Sequence, residues 1–273
     1  MLPKLGIIAG GGDLPVRLLE ACRSVGREAF VLGLEGHAEP DGIGRHVDLW
    51  VRLGAAGTML DALRAAGARD IVLAGRVRRP SLVELKPDWR GARFFARIGA
   101  RALGDDGLLK AVTAELEGEG FHVIAAHDVF RDLLTPAGPL GSLTPDEQSE
   151  GDIARGMAVI RALGPLDIGQ AVIVQQGLVL GIEAIEGTDA LIERCGTLRR
   201  DGPGGVLVKM TKPTQDLRFD LPTIGVVTVD RCAAAGLRGI AIEAGKTIAL
   251  DRDAIAAQAD RLGLFVVGLD STP

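Results

Sequence analysis

Six side chains able to meet a phosphate or a metal ion fall within the twelve positions from Lys209 to Asp220: Lys209, Lys212, Gln215, Asp216, Arg218 and Asp220. Lysine and arginine neutralise phosphate oxygens, the first as a point charge and the second as a planar fork. Asp216 and Asp220, four positions apart with Arg218 between them, can share a hard divalent cation. This mixture suits a magnesium-assisted reaction at a phosphate. A solvated turn is the plainer account of a charged loop. Against it, the apolar runs VLV and LPTIGVVTV flank the charges and set them between two buried strands.

Three further places carry residues of interest. In IIAGGGDLP, Gly10, Gly11, Gly12 and Asp13 follow an apolar run and precede a helical pattern. A first βα turn of this kind points backbone N–H groups and a helix N-terminus at an anion. Gly10 and Gly12 satisfy the start of a dinucleotide fingerprint, but Pro15 stands where its third glycine belongs. An NAD site, a site for another nucleotide and a merely tight turn all remain open. In LAGRVRRPS, Gly75 ends a strand and Arg76, Arg78 and Arg79 follow at its C-terminal edge. In GDDGLLKAV, Asp105 and Asp106 precede a helix, where capping accounts for at least one of them.

The second half holds an acidic group, Glu183, Glu186 and Asp189, around Thr188. In an extended strand Glu183 and Glu186 point to opposite faces, so they act together only if the chain bends, as Gly187 permits. TDALIER reads as a helix with Thr188 as its cap and Asp189 in its first turn.

The elements that position these residues form two α/β domains. Strand-like LGIIA, EAFVLGLEG, VDLWVRLG and DIVLAGRV alternate with helical VRLLEACRSVG and TMLDALRAAG, whose glycines Gly26 and Gly67 act as stops. FHVIAAHDVF closes this half as a strand. The pattern predicts a Rossmann-like parallel-sheet domain over residues 1–131. Residues 132–150 are rich in Pro, Gly, Ser and Thr and read as a linker. A C-terminal mixed α/β domain follows over 151–273, with a helix DIARGMAVIRALG, a hairpin turning near Gln176-Gly177, and a second hairpin in GIAIEAGKTIAL.

Composition narrows the function. Apolar residues make up 47% of 273 and charged residues 25%, as in globular proteins. A net charge of −5 and 3% aromatics, with no tyrosine, argue against nucleic acid as a partner. The three cysteines are scattered and the four histidines form no HxH or HExxH motif, so neither a disulfide framework nor a zinc site is expected. With no signal-peptide pattern and no apolar run near the ~20 residues of a membrane span, the chain is expected in the cytoplasm. A peripheral contact with a membrane stays open.

Taken together, IIAGGGDLP (7–15), LAGRVRRP (73–80), GDDGLL (104–109), IEAIEGTDALIER (182–194) and KPTQDLRFDLPTIG (212–225) resemble the α/β-type, magnesium-dependent UDP-2,3-diacylglucosamine diphosphatases of lipid A biosynthesis. The resemblance implies hydrolysis to UMP and 2,3-diacylglucosamine 1-phosphate, a lipid-linked sugar nucleotide held between two domains, Mg2+ as cofactor, and a homodimer. On that reading Asp220 acts with Asp216 or with an acid among Glu183, Glu186 and Asp189 at the metal. Lys209, Lys212 and Arg218 then neutralise charge at the phosphates. Gly10–Asp13, Gly75, Arg76, Asp105, Asp106, Thr188 and Gln215 bind substrate. Two rivals are a nicotinamide-dependent oxidoreductase and a sugar-nucleotide-binding regulator without activity.

Overall fold

The structure is a computed structural model that describes residues 2–78, 86–98, 105–212, 218 and 221–270. The chain divides into two compact units: Met1–Arg131 with Asp216–Phe219, and Asp132–Gln215 with Asp220–Pro273.

The first unit runs β1 (Leu5–Ala9), α1 (Leu14–Ser24), β2 (Ala29–Leu34), β3 (Leu49–Val51), α2 (Ala56–Ala65), β4 (Asp70–Ala74), α3 (Trp89–Ile98), α4 (Asp105–Gly118), β5 (His122–Val123) and α5 (Ala126–Val129). Its described strands form one parallel sheet in the order β3-β2-β1-β4-β5. β1 is buried along its whole length, which is why LGIIA is a continuous apolar run rather than an alternating one. The helices stop where the sequence has glycine, with Gly26 at φ +66° and Gly67 at φ +71°. Pro15 sits in the first turn of α1, where its missing N–H costs nothing. FHVIAAHDVF is not one strand. It pairs only through His122 and Val123, and then Asp128 accepts a hydrogen bond from Ala125 N (3.1 Å) and starts the short α5.

The second unit runs β6 (Gly138–Pro139), α6 (Glu147–Leu163), β7 (Ala171–Gln175), β8 (Leu178–Ile182), α7 (Gly187–Gly196), β9 (Val206–Lys209), β10 (Thr223–Ile224), α8 (Val226–Ala234), β11 (Gly239–Glu243), β12 (Ile248–Ala249), α9 (Arg252–Leu262) and β13 (Phe265–Leu269). Its main sheet is mixed, in the order β6-β13-β11-β9-β7-β8. Side-chain alternation divides its core into two layers. Ile173 and Leu207 face Leu191, Val229 and Ile255 of α7, α8 and α9, while Val172, Val174, Val206 and Val208 face Ile153 and Ile160 of α6.

The β7–β8 hairpin turns at Gln176 (φ +54°) and Gly177 (φ +76°), as a two-residue connection between twisted strands requires. Asp152 clamps the turn, accepting from Gln176 N at 3.0 Å and Gly177 N at 2.6 Å. GIAIEAGKTIAL does not form the second hairpin. β11 is bonded on one side to β9 and on the other to β13, so β12 pairs with β10 instead. Within 132–150, Gly138 and Pro139 pair antiparallel with β13, and α6 starts at Glu147. Asp146 caps that helix by accepting from Ser149 N at 2.9 Å. The Ser149 hydrogen bonds and then Arg238 lower its carboxyl to about 2.

All three cysteines are free and buried, Cys22 in the first unit and Cys195 and Cys232 in the second. Burial raises each thiol above its ordinary value.

Candidate active site

β8 runs antiparallel to β7, and β7 antiparallel to β9, so β8, β9 and β11 all end at one edge of the second sheet. Three charged residues are buried at that edge: Glu183 just after β8, Lys209 closing β9 and Glu243 closing β11, exposed 6%, 6% and 3%. Lys209 lies two positions after Leu207, so it shares the face that packs against α7 and α8. This points its ammonium at the start of α7. There Nζ donates to Thr188 Oγ1 at 3.0 Å and to the Thr223 carbonyl at 3.2 Å. Thr188 passes the connection on, donating to Glu183 Oε1 at 2.7 Å, while Gln170 N donates to Glu183 Oε2 at 3.1 Å. A buried ammonium and a buried carboxylate thus compensate each other through one hydroxyl, and both keep further hydrogen-bond partners.

Thr188 is therefore not the helix cap that its position in the sequence suggests. Glu186 occupies the N-cap position without a side-chain cap bond, and the Thr188 hydroxyl is committed to Glu183 and Lys209. The bend allowed at Gly187 is present, at φ +81°.

Glu243 anchors the chain as it leaves β9. Its carboxylate accepts from Thr211 N at 3.0 Å, from the Thr211 hydroxyl, and from Lys246 Nζ at 2.8 Å. Burial pushes this carboxyl up, but Lys246 and Thr211 outweigh burial and leave it below the usual range. Sequence reasoning missed Glu243, Thr211 and Lys246. The available signal was an acid closing the fully apolar run GIAI.

The other charged candidates have separate partners. Lys212 pairs with Asp167. Arg218 is grouped with the first unit, its Nη1 2.7 Å from Glu117 Oε1. Glu186 Oε1 takes Arg194 Nη2 at 2.9 Å. Hydrogen bonds from its own backbone and then from Arg194 hold its carboxyl below the usual range. Asp189 Oδ1 lies 3.6 Å from Arg231 Nε. The structure thus brings Glu183, Thr188 and Lys209 together and leaves Glu186 and Asp189 on arginines. Among the described residues, no three Asp, Glu, His or Cys side chains gather as a metal site requires. Gln215, Asp216, Asp220 and Arg79 lie outside the described residues, as do the side chains of Asp105 and Asp106.

In the first unit the glycine turn stands at the C-terminal end of β1, where the strand order reverses and open α/β sheets bind ligands. Each of its three amides has a partner within the unit. Gly10 N donates to Ala74 O (2.8 Å), Gly11 N to Arg76 O (2.9 Å) and Gly12 N to Glu39 Oε1 (3.1 Å). Arg76 N returns a bond to Gly11 O at 2.8 Å. Of the three, only the Gly12 amide is held by a side chain, which an anion could displace by a rotamer change. Asp13 precedes α1 without a side-chain cap bond.

The two loops touch backbone to backbone, and this explains Gly10 and Gly75. A Cβ on Gly10 would lie 2.5 Å from Arg76 O, and one on Gly75, at φ +94°, 2.6 Å from Gly11 O. Gly75→Ala should destabilise the protein by about 2 kcal/mol or more, from the left-handed backbone and the clash together. A urea midpoint equal to wild type would show that the loops separate without cost.

Residues 4–133 match the family described as LpxI N-terminal domain, and residues 136–267 match LpxI C-terminal domain. The chain belongs to the LpxI family. A member from Caulobacter vibrioides, described as UDP-2,3-diacylglucosamine pyrophosphatase LpxI, is 45% identical over 98% of both chains. Two solved structures overlap this chain only weakly. The biotin carboxylase subunit of pyruvate carboxylase is 14% identical over 63% of this chain and 35% of that one, at a TM-score of 0.25. The biotin carboxylase domain of the Hydrogenobacter thermophilus 2-oxoglutarate carboxylase is 11% identical over 72% and 41%, at 0.24.

Proposed function

We propose that this chain hydrolyses the diphosphate bond of UDP-2,3-diacylglucosamine to UMP and 2,3-diacylglucosamine 1-phosphate, a step of lipid A biosynthesis. The observation that carries the reading is the 45% identity, along nearly all of both chains, to the Caulobacter pyrophosphatase. The Glu183–Thr188–Lys209 network fits it. A desolvated ammonium held by fixed partners is a preorganised stabiliser of charge developing on a phosphoryl oxygen. Lys212 and Arg218 add positive charge from the same stretch of chain. The first unit, Rossmann-like in this reading, holds the nucleotide.

Mg2+ is part of the proposal. In this reading Asp220 holds it together with Asp216 or with an acid among Glu183, Glu186 and Asp189, since magnesium takes only one or two carboxylates. When bound, the ion would neutralise charge on the diphosphate. The reading also includes a homodimer and leaves room for a peripheral contact with a membrane. Among the described residues no helix is long and apolar enough to cross a membrane.

The test is release of UMP from UDP-2,3-diacylglucosamine, with magnesium and with a chelator. Saturable release that the chelator abolishes is the expected result. Binding of the sugar nucleotide with no UMP would turn the chain into the regulator, and saturable NAD(P) binding would favour the oxidoreductase. UDP-glucosamine without acyl chains should be a poor substrate, because each buried methylene supplies about 0.8 kcal/mol toward positioning. Equal kcat/KM for the acylated and unacylated compounds would contradict this.

A further inference from the structure

The first unit has an open depression of about 540 Å³ at the ends of β2 and β3, lined by Glu35, His37, Glu39 and Trp50 among others. Its volume is in the range of small-molecule sites. It adjoins the glycine turn, because Glu39 also accepts from Gly12 N. Glu35 directly follows β2, at the end of the strand beside β1. Dinucleotide-binding sheets of this strand order place at that point the acid that takes a ribose hydroxyl. Among the described residues nothing engages the Glu35 carboxylate. Trp50, in a chain with 3% aromatics, leaves 38% of its surface exposed at this site.

The lining also selects among ligands. Two carboxylates, Glu35 and Glu39, repel a phosphate but accept from neutral hydroxyls. His37 Nδ1 accepts from Arg78 N at 3.3 Å, which leaves Nε2 as its N–H donor. Burial and then the Arg78 charge push this ring below the ordinary imidazole value. An exposed indole face stacks on a base. Acceptors for hydroxyls, a donor for a carbonyl and a stacking face describe a ribonucleoside.

We propose that the Glu35–Trp50 depression binds the uridine half of the sugar nucleotide, with Glu35 on the ribose hydroxyls and Trp50 against the base. This rests on the function proposed above and extends it to residues outside the charged loop. Glu35 and Trp50 act here in binding and specificity.

The experiment titrates the full chain with UMP, uridine and inorganic phosphate, by calorimetry and by tryptophan fluorescence. Trp89→Phe, which replaces the other tryptophan, serves as the background. Uridine and UMP should both bind and quench Trp50, phosphate should not, and Glu35→Gln should weaken uridine and UMP at least tenfold. Absence of uridine binding, wild-type affinity in Glu35→Gln with an unchanged fold, or equal quenching by phosphate would overturn the assignment. Hydrolysis is scored separately. Turnover without a Trp50 response removes the subsite alone, and uridine binding without turnover removes the catalytic reading alone.

Discussion

Lys209→Met should fold, lose about 1–3 kcal/mol of stability, and lower kcat for UMP release by about 10²–10³-fold. Methionine fills nearly the same volume along the apolar face shared with Leu207, so packing survives. The change removes the ammonium that bonds Thr188 Oγ1 and the Thr223 carbonyl. Glu183 keeps its bonds from Thr188 and Gln170 N, which limits the structural loss. If Lys209 served only to neutralise Glu183, activity per folded molecule would not fall. Denaturant titration beside kcat separates the two roles, and a wild-type kcat at reduced stability would take Lys209 out of the chemistry.

Asp220→Asn should cost still more turnover, by orders of magnitude in kcat, with a melting temperature close to that of wild type. Asparagine keeps the shape of aspartate and one carbonyl oxygen but removes the negative charge. Asp220 lies outside the described residues, so the grounds are its chemistry and its place in the chain. It lies three positions before Thr223, a span of at most about 11 Å when fully extended. Thr223 is where the Lys209 ammonium rests. A surface ion-pair partner would contribute about 0–1 kcal/mol and leave kcat nearly intact. Full turnover in this one variant would exclude Asp220 from the active site.

The first sheet was legible because buried strands, amphipathic helices and stop glycines are local signals, and Leu5–Ala9, Gly26 and Gly67 carry them plainly. The Gln176-Gly177 turn was legible for the same reason. Strand partners are not local. Nothing within GIAIEAGKTIAL says that β9 and β13 already occupy both sides of β11. The start of α6 was written in the sequence as Asp146 ahead of Glu147 and Glu150, yet the surrounding Pro, Gly and Ser obscured it. In the site, Lys209 stood out as a charge closing an apolar strand. Glu243 closes its own strand in the same way, but its bond to Thr211 joins residues distant along the chain. The glycine turn shows the opposite limit. Composition revealed that the backbone there must be bare, but not that Ala74, Arg76 and Glu39 would be the groups its amides meet.

The buried thiols give each unit its own reporter. Cys22 is shut within the first unit, and Cys195 and Cys232 lie in the α7–α8 layer of the second. A thiolate must reach solvent to be alkylated, and burial has made every one of these thiols a weaker acid. The rate of modification therefore counts openings of the surrounding core. With Cys22 as the sole cysteine, labelling times the first unit's excursions. With only Cys195 and Cys232 kept, it times those of the second. A uridine compound that slowed the first clock and left the second unchanged would place its grip on the molecule without any spectroscopic tag.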